Sequence, residues 1–129
     1  MEASPARLVV GITGASGAVY GVRLRRRLRE LPVETHLIVS RWGRVTIEHE
    51  LQIGFDEVRA LSDVVHSESN QAAAVSSGSF RTCGMIIAPC STKTLAGIAS
   101  GFAHNLVCRA ADVVLKERLP LVSRFARRR

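Results

Sequence analysis

Between Leu8 and Glu30 the chain passes from a short apolar run, through a cluster of glycines, into a helical pattern. Leu8-Val9-Val10-Gly11-Ile12-Thr13 is uncharged and rich in β-branched residues, as expected of a strand buried on both faces of a parallel sheet. From Ala18 to Glu30, Tyr20, Leu24 and Leu28 recur at helical spacing. Leu31 extends that stripe, Arg23, Arg26, Arg27 and Glu30 fall elsewhere on the helix, and Pro32 closes it. Strand, glycine loop and helix in this order open a βαβ unit. Glu34 to Ser40 suggests a second strand and Gly84 to Pro89 a third, stopped by its proline; Pro120-Leu121-Val122 begins a fourth. Helices are predicted over Gly43 to Leu51, Thr94 to Gly101 and Asn105 to Arg118. Between Gly54 and Phe80 the Ala72-Ala73-Ala74 run suggests a short helix, followed by a loop through Ser76-Ser77-Gly78-Ser79. Alternating strands and helices predict an open parallel α/β sheet with helices on both faces, a flavodoxin-like or Rossmann-like three-layer sandwich.

Composition removes other classes. At 129 residues the chain is one domain, and 47% hydrophobic with 22% charged residues is globular composition. No run approaches the roughly 18 apolar residues of a membrane span. Leu8 to Val22 lacks charge like a signal peptide, but four glycines make it a turn. The net charge of +7 invites a nucleic-acid reading, yet four of the 16 arginines lie in the last six residues. Without them 14 basic residues face 11 acidic ones, an excess of +3. Aromatics are too few for base stacking, and the five arginines from Arg23 to Arg29 are expected to form a solvated helix face. Cys83, Cys90 and Cys108 lack CxxC spacing and are expected to pack as small hydrophobes in a reducing, cytoplasmic setting. The four histidines show no metal-binding spacing, so no metal site is expected.

Two loops carry the chemistry. Gly11-Ile12-Thr13-Gly14-Ala15-Ser16-Gly17 lets backbone approach a ligand and presents a helix N-terminus to a phosphate. It is not a Walker loop, because Ala18 and Val19 stand where Lys and Ser/Thr would be needed. Nor does an acidic residue follow the second strand, which ends in Ser40-Arg41 instead of the ribose-binding acid of NAD enzymes. Pro89-Cys90-Ser91-Thr92-Lys93-Thr94 follows the third strand, where doubly wound sheets bind ligands, and its hydroxyls and ammonium suit a phosphate or ribityl chain. Ser91 or Thr92 would also cap the next helix. Arg109, Asp112 and Lys116 share one helical face at spacings of three and four; alone they read as a solvated ion-pair face. However, the chain keeps lysine at only two places, Lys93 and Lys116, and both fall inside these segments. A TGxxG-type loop with Arg41 also suggests an NADP-dependent reductase, weakened because Tyr20 has Leu24 where a lysine would be needed.

Taken together, the chain resembles the flavin prenyltransferases, the UbiX-type enzymes formerly called phenylacrylic acid decarboxylases. The resemblance rests on Val10 to Ala18, Thr35 to Ser40, Ser76 to Phe80, Pro89 to Leu95 and Arg109 to Arg118, in family order. It implies a homo-oligomeric flavodoxin-like protein that uses no metal and joins dimethylallyl from dimethylallyl phosphate to N5 and C6 of reduced FMN. The prenylated FMN then serves UbiD-type decarboxylases. By the same resemblance Gly14, Ala15, Ser16, Ser40, Ser91, Thr92, Lys93 and Thr94 bind FMN, and Glu50, Arg109 and Lys116 belong to the catalytic region. No nucleic-acid or membrane partner is implied. A module that binds FMN without catalysis, or an inactive fragment, is the alternative.

The ending departs from the family. By the resemblance, residues 1–129 are expected to form one flavoprotein domain lacking the family's C-terminal part, with 123–129 a divergent basic tail. The family's FMN-contacting arginine would fall at Ala126 and its acid at Arg127. A frameshift or premature stop is expected to explain this, with an exposed sheet edge as its consequence.

Overall fold

The computed structural model describes residues 6–15, 17–52, 54–102 and 105–125. Its five strands are β1 (Ala6–Ile12), β2 (Val33–Val39), β3 (Val64–Ser67), β4 (Met85–Cys90) and β5 (Leu121–Phe125). They form one all-parallel sheet in the order β3-β2-β1-β4-β5. The helices are α1 (Ala18–Leu28), α2 (Arg41–Leu51), α3 (Phe55–Arg59), α4 (Thr92–Ser100) and α5 (Leu106–Lys116), with a 3-10 turn at Ala74–Ser76.

Strand periodicity divides the core into two layers. Val10, Ile12, Leu37 and Val39 pack with Ala18, Val22, Ile47 and Val58 from α1, α2 and α3. The alternate residues Val9, Ile38, Met85 and Ile87 pack with Val75, Leu106, Val107, Ala110 and Val114 on the other face. Chain order reverses between β1 and β4, so their carboxyl ends flank a topological switch point. The open α/β sheet read from the sequence is what the chain forms.

Several details differ from expectation. The segment read as a helix and loop contributes α3 and a fifth strand, β3, paired with His36 to Val39 of β2. β3 has only four half-exposed residues, Val-Val-His-Ser, too few for a periodic signal. The alanine run forms no helix; the Ser76 hydroxyl donates to the Ala73 carbonyl at 2.7 Å and supports a single 3-10 turn. Pro89 lies inside β4 and does not stop it, at the irregularity between Ile87 and Cys90 where a missing N–H is tolerated. Cys90 and Cys108 are buried as expected, whereas Cys83 is exposed.

α1 also faces the core differently. Its buried residues are Ala18, Gly21, Val22, Arg25 and Leu28, while Tyr20 and Leu31 are exposed. Arg25, expected in a solvated cluster, is fully buried. Its Nε donates to Ser62 Oγ at 3.1 Å and its Nη2 to the Leu61 carbonyl, tying α1 to the turn before β3. Burial pushes the guanidinium's pKa down, and the charge of Asp63 opposes this. The polar spacing that looked like one face is thus two.

Beneath this sheet lies a polar chain that sets an acid limit on stability. His36, 4% exposed, meets His66 Nε2 through Nδ1 at 2.9 Å and Glu34 Oε1 through Nε2 at 2.7 Å. Burial, with His36 beside it, holds the His66 pKa below its ordinary value. The unfolded chain therefore binds the extra proton first, and stability falls as pH drops below about 6.5 towards the folded value. Asp63, held low chiefly by the Thr35 amide, adds a further loss in stronger acid. Thermal melts from pH 7.5 to 5.0 should show a falling midpoint that His66→Gln flattens near the upper end. A pH-independent midpoint in the parent chain would contradict the assignment.

Candidate functional site

The two loops identified from sequence meet at the switch point through Thr13. This residue, 1% exposed, donates from Oγ1 to the Pro89 carbonyl at 2.8 Å and accepts from the Ser91 amide at 2.7 Å. One hydroxyl thus fixes the end of β1 against the end of β4. Sequence reasoning placed Thr13 in the motif without seeing that role.

Beyond Thr13 a cavity of about 600 Å³ opens, within the roughly 300–1,000 Å³ of small-molecule sites. Gly14, Ser40, Ser91, Lys93 and Thr94 line it, joined by Arg41, Trp42, Glu68, Gln71 and Asn105. Ser40 caps α2 by accepting from the Gly43 amide at 2.9 Å. Ser91 caps α4 by accepting from the Thr94 amide at 3.1 Å, and its own hydroxyl donates to Thr94 Oγ1 at 2.9 Å. The capping role foreseen for Ser91 therefore coexists with its place in the cavity wall. Thr92 is an exposed residue of the first turn of α4, beside Lys93. The Ala15 amide closes the loop onto the Thr13 carbonyl at 2.9 Å. Ser16 lies outside the described residues.

Glycine is required where α2 meets the loop. A Cβ on Gly14 would stand 2.4 Å from Trp42 Cβ, and one on Gly43 would stand 2.5 Å from the Ile12 carbonyl oxygen. α2 is therefore seated directly on the end of β1. Trp42, 66% exposed, leaves its indole free to meet a planar ring. Sequence reasoning missed Trp42, Glu68, Gln71 and Asn105. Glu68 and Gln71 come from the segment with no periodic signal, and nothing local marked them.

Three residues named for catalysis sit elsewhere. Glu50 Oε1 accepts from the Gly17 and Ala18 amides at 3.2 and 3.1 Å, so a carboxylate from α2 holds the start of α1. The helix N-terminus that the sequence offers to a phosphate is thus already met by Glu50 Oε1. Arg109 and Lys116 line a separate cavity of about 330 Å³ with Ser76, Ser77 and Glu117. Lys116 Nζ pairs with Asp112 Oδ2 at 3.0 Å. Asn105 caps the near end of α5 and Lys116 closes its far end, a separation of about 16 Å along the axis. Cys90 is packed in the core, and burial pushes its thiol pKa up to about 11, which disfavours the thiolate. Among the described residues no group of three His, Cys, Asp or Glu side chains could hold a metal ion, and no helix is long and apolar enough to cross a membrane.

An open parallel sheet whose crevice combines two helix caps, a glycine approach and basic side chains has the layout in which doubly wound α/β proteins bind ligands. The chain belongs to the Flavoprotein family, which it matches over residues 1–124. It is 64% identical over 117 residues to a probable UbiX-like flavin prenyltransferase of Streptomyces sp. (strain D7), covering 90% of this chain and 58% of that protein. It is 56% identical over 117 residues to the flavin prenyltransferase UbiX of Escherichia coli (strain K12), covering 90% and 62%. The structure of AnUbiX (PadA1) in complex with FMN and dimethylallyl pyrophosphate superposes with a TM-score of 0.92 at 52% identity, covering 94% of this chain and 64% of that one. A dodecameric FMN-dependent UbiX-like decarboxylase from Escherichia coli O157:H7 gives a TM-score of 0.92 at 56% identity, covering 94% and 67%. The chain thus spans about three-fifths of the length of the curated relatives it matches.

Proposed function

We propose that the chain binds FMN in the cavity at the switch point and serves in transfer of dimethylallyl from dimethylallyl phosphate to reduced FMN. The observation that carries this reading is convergence. Gly14, Ser40, Ser91, Lys93 and Thr94 come from three separate segments, and all face one cavity of suitable volume. Its chemistry fits the group: hydroxyls for a ribityl chain, Arg41 and Lys93 for a phosphate, and the Trp42 indole for a ring system. When bound, reduced FMN would supply the nitrogen and carbon nucleophiles. Around it, Ser40, Ser91 and Thr94 bind and orient, and Trp42 shields the ring from water. Glu50, which holds the start of α1, would support the glycine loop from outside the cavity lining.

Arg109 and Lys116 would stabilise the departing phosphate, and because they line a cavity separate from the flavin cavity, this reading has a second copy of the chain present them. A homo-oligomer is therefore part of this reading, as are a cytoplasmic setting and a UbiD-type decarboxylase as recipient of the product. Anaerobic incubation with reduced FMN and dimethylallyl phosphate should produce a changed flavin spectrum and a flavin heavier by one prenyl unit. Lys116→Ala should slow this by on the order of 10²-fold, the usual worth of one charge aimed at a reacting centre. Bound but unaltered FMN would instead support a binding module, which the separation of Arg109 and Lys116 from the cavity favours as the second reading.

A further inference from the structure

A third cavity, of about 520 Å³, opens at the carboxyl ends of β2 and β3. It shares Ser40, Arg41, Glu68 and Ser69 with the switch-point cavity, so the two are neighbours with a common wall. Charge distinguishes it. Arg41 and Arg44 from α2 and Arg59 from α3 all line it. Glu68 is the one carboxylate among its described lining residues, and its Oε1 is engaged by the Arg41 amide at 2.8 Å.

The guanidiniums are partly preorganised. Arg44 lies 4.6 Å over the Phe55 ring, and its Nε meets Glu48 Oε1 at 3.4 Å. That contact uses the edge of the fork, so it does not consume the two terminal nitrogens. Three like charges around one cavity repel one another, and Arg41 and Arg44 stand in a first turn that contains no acid to offset them. A polyanion turns each of these repulsions into attraction. Planar guanidinium forks match phosphate oxygens in pairs, and Ser67 and Ser69, whose hydroxyls hydrogen-bond to each other at 3.0 Å, leave one hydroxyl donor in the lining. Cations carried by two different helices suit an extended anion better than a compact one.

We propose that this cavity is a second anion site, for pyrophosphate or inorganic phosphate, distinct from the flavin cavity beside it. The inference does not depend on prenyl transfer, because it rests on Arg44 and Arg59, which line this cavity and not the flavin cavity, with Arg41 on the shared wall.

Calorimetric titration of the full chain with sodium pyrophosphate, and separately with phosphate, tests it with and without saturating FMN. Pyrophosphate should bind with one-to-one stoichiometry and continue to bind in the presence of FMN. Arg44→Gln combined with Arg59→Gln should weaken it by at least about tenfold, the loss expected for charged hydrogen bonds, and leave FMN affinity within about twofold. Arg26→Gln with Arg27→Gln removes the same charge from the exposed side of α1 and should change pyrophosphate binding by less than about twofold. No binding to the parent chain, equal weakening by the two double variants, or full displacement by FMN would each overturn the proposal. A chain that binds pyrophosphate but not FMN would overturn the flavin reading and leave this one standing.

Discussion

Gly14→Ala should lower FMN affinity by at least about 100-fold while the chain still folds. The added Cβ would lie 2.4 Å from Trp42 Cβ and 3.0 Å from the Trp42 carbonyl carbon, atoms that no rotamer change can move. Relief requires the first turn of α2 to shift. That turn is pinned on both sides, by the Ser40 amide donating to the Ile12 carbonyl at 2.9 Å and by Gly43 packed against the same carbonyl. Any shift therefore displaces Ser40 and Arg41 from the cavity wall. Overpacking of this kind costs about 1–3 kcal/mol in stability, below the total of a typical domain. Flavin titration and a thermal melt of the same sample separate the two effects. Ordinary affinity in Gly14→Ala would mean that the loop does not touch the ligand.

Thr13→Val should be the most damaging single hydroxyl deletion in the chain. The side chain is nearly isosteric, so little packing is lost, but the half-buried Ser91 amide loses the oxygen it donates to. The Pro89 carbonyl keeps the Thr13 amide at 3.2 Å, so one unsatisfied group, not two, is created. About 1–3 kcal/mol follows from that donor, and the α4 cap is released from β1 in addition. Flavin affinity should fall with stability, and Thr13→Ser should restore both. Denaturant unfolding of the parent and the two variants reads the first effect and flavin titration the second. Normal flavin binding by the Thr13→Val variant would show that the tie between the two loops is dispensable.

How much was legible in the sequence follows from which signals are local. β1, β2, β4 and the helices between them show clear apolar periods, so the sheet and its layers could be read directly. So could the glycine loop and Ser91 to Thr94, because cap and turn chemistry is written in adjacent residues. β3 could not, since four edge residues with a histidine and a serine carry no period. Arg25 was misread because a buried arginine depends on Leu61 and Ser62, more than thirty residues away. The same limit applies to Glu50, which local pattern cannot connect to the Gly17 and Ala18 amides. Arg109 and Lys116 share one helical face as their spacing predicts, but helical spacing says nothing about which cavity that face meets, and in this chain they line one separate from the switch-point cavity. The divergent basic ending lies partly at 126–129, outside the described residues.

Trp42 offers a direct test of whether this cavity is the flavin site. It is the only tryptophan in the sequence, it is 66% exposed, and it lines the cavity beside Gly14 and Ser40. Addition of FMN to the chain should quench its emission saturably at one equivalent, and Trp42→Phe should abolish the signal while flavin still co-purifies. Emission that stays unchanged as FMN rises to about 1 mM, the weak limit of specific binding, would contradict the assignment of this cavity.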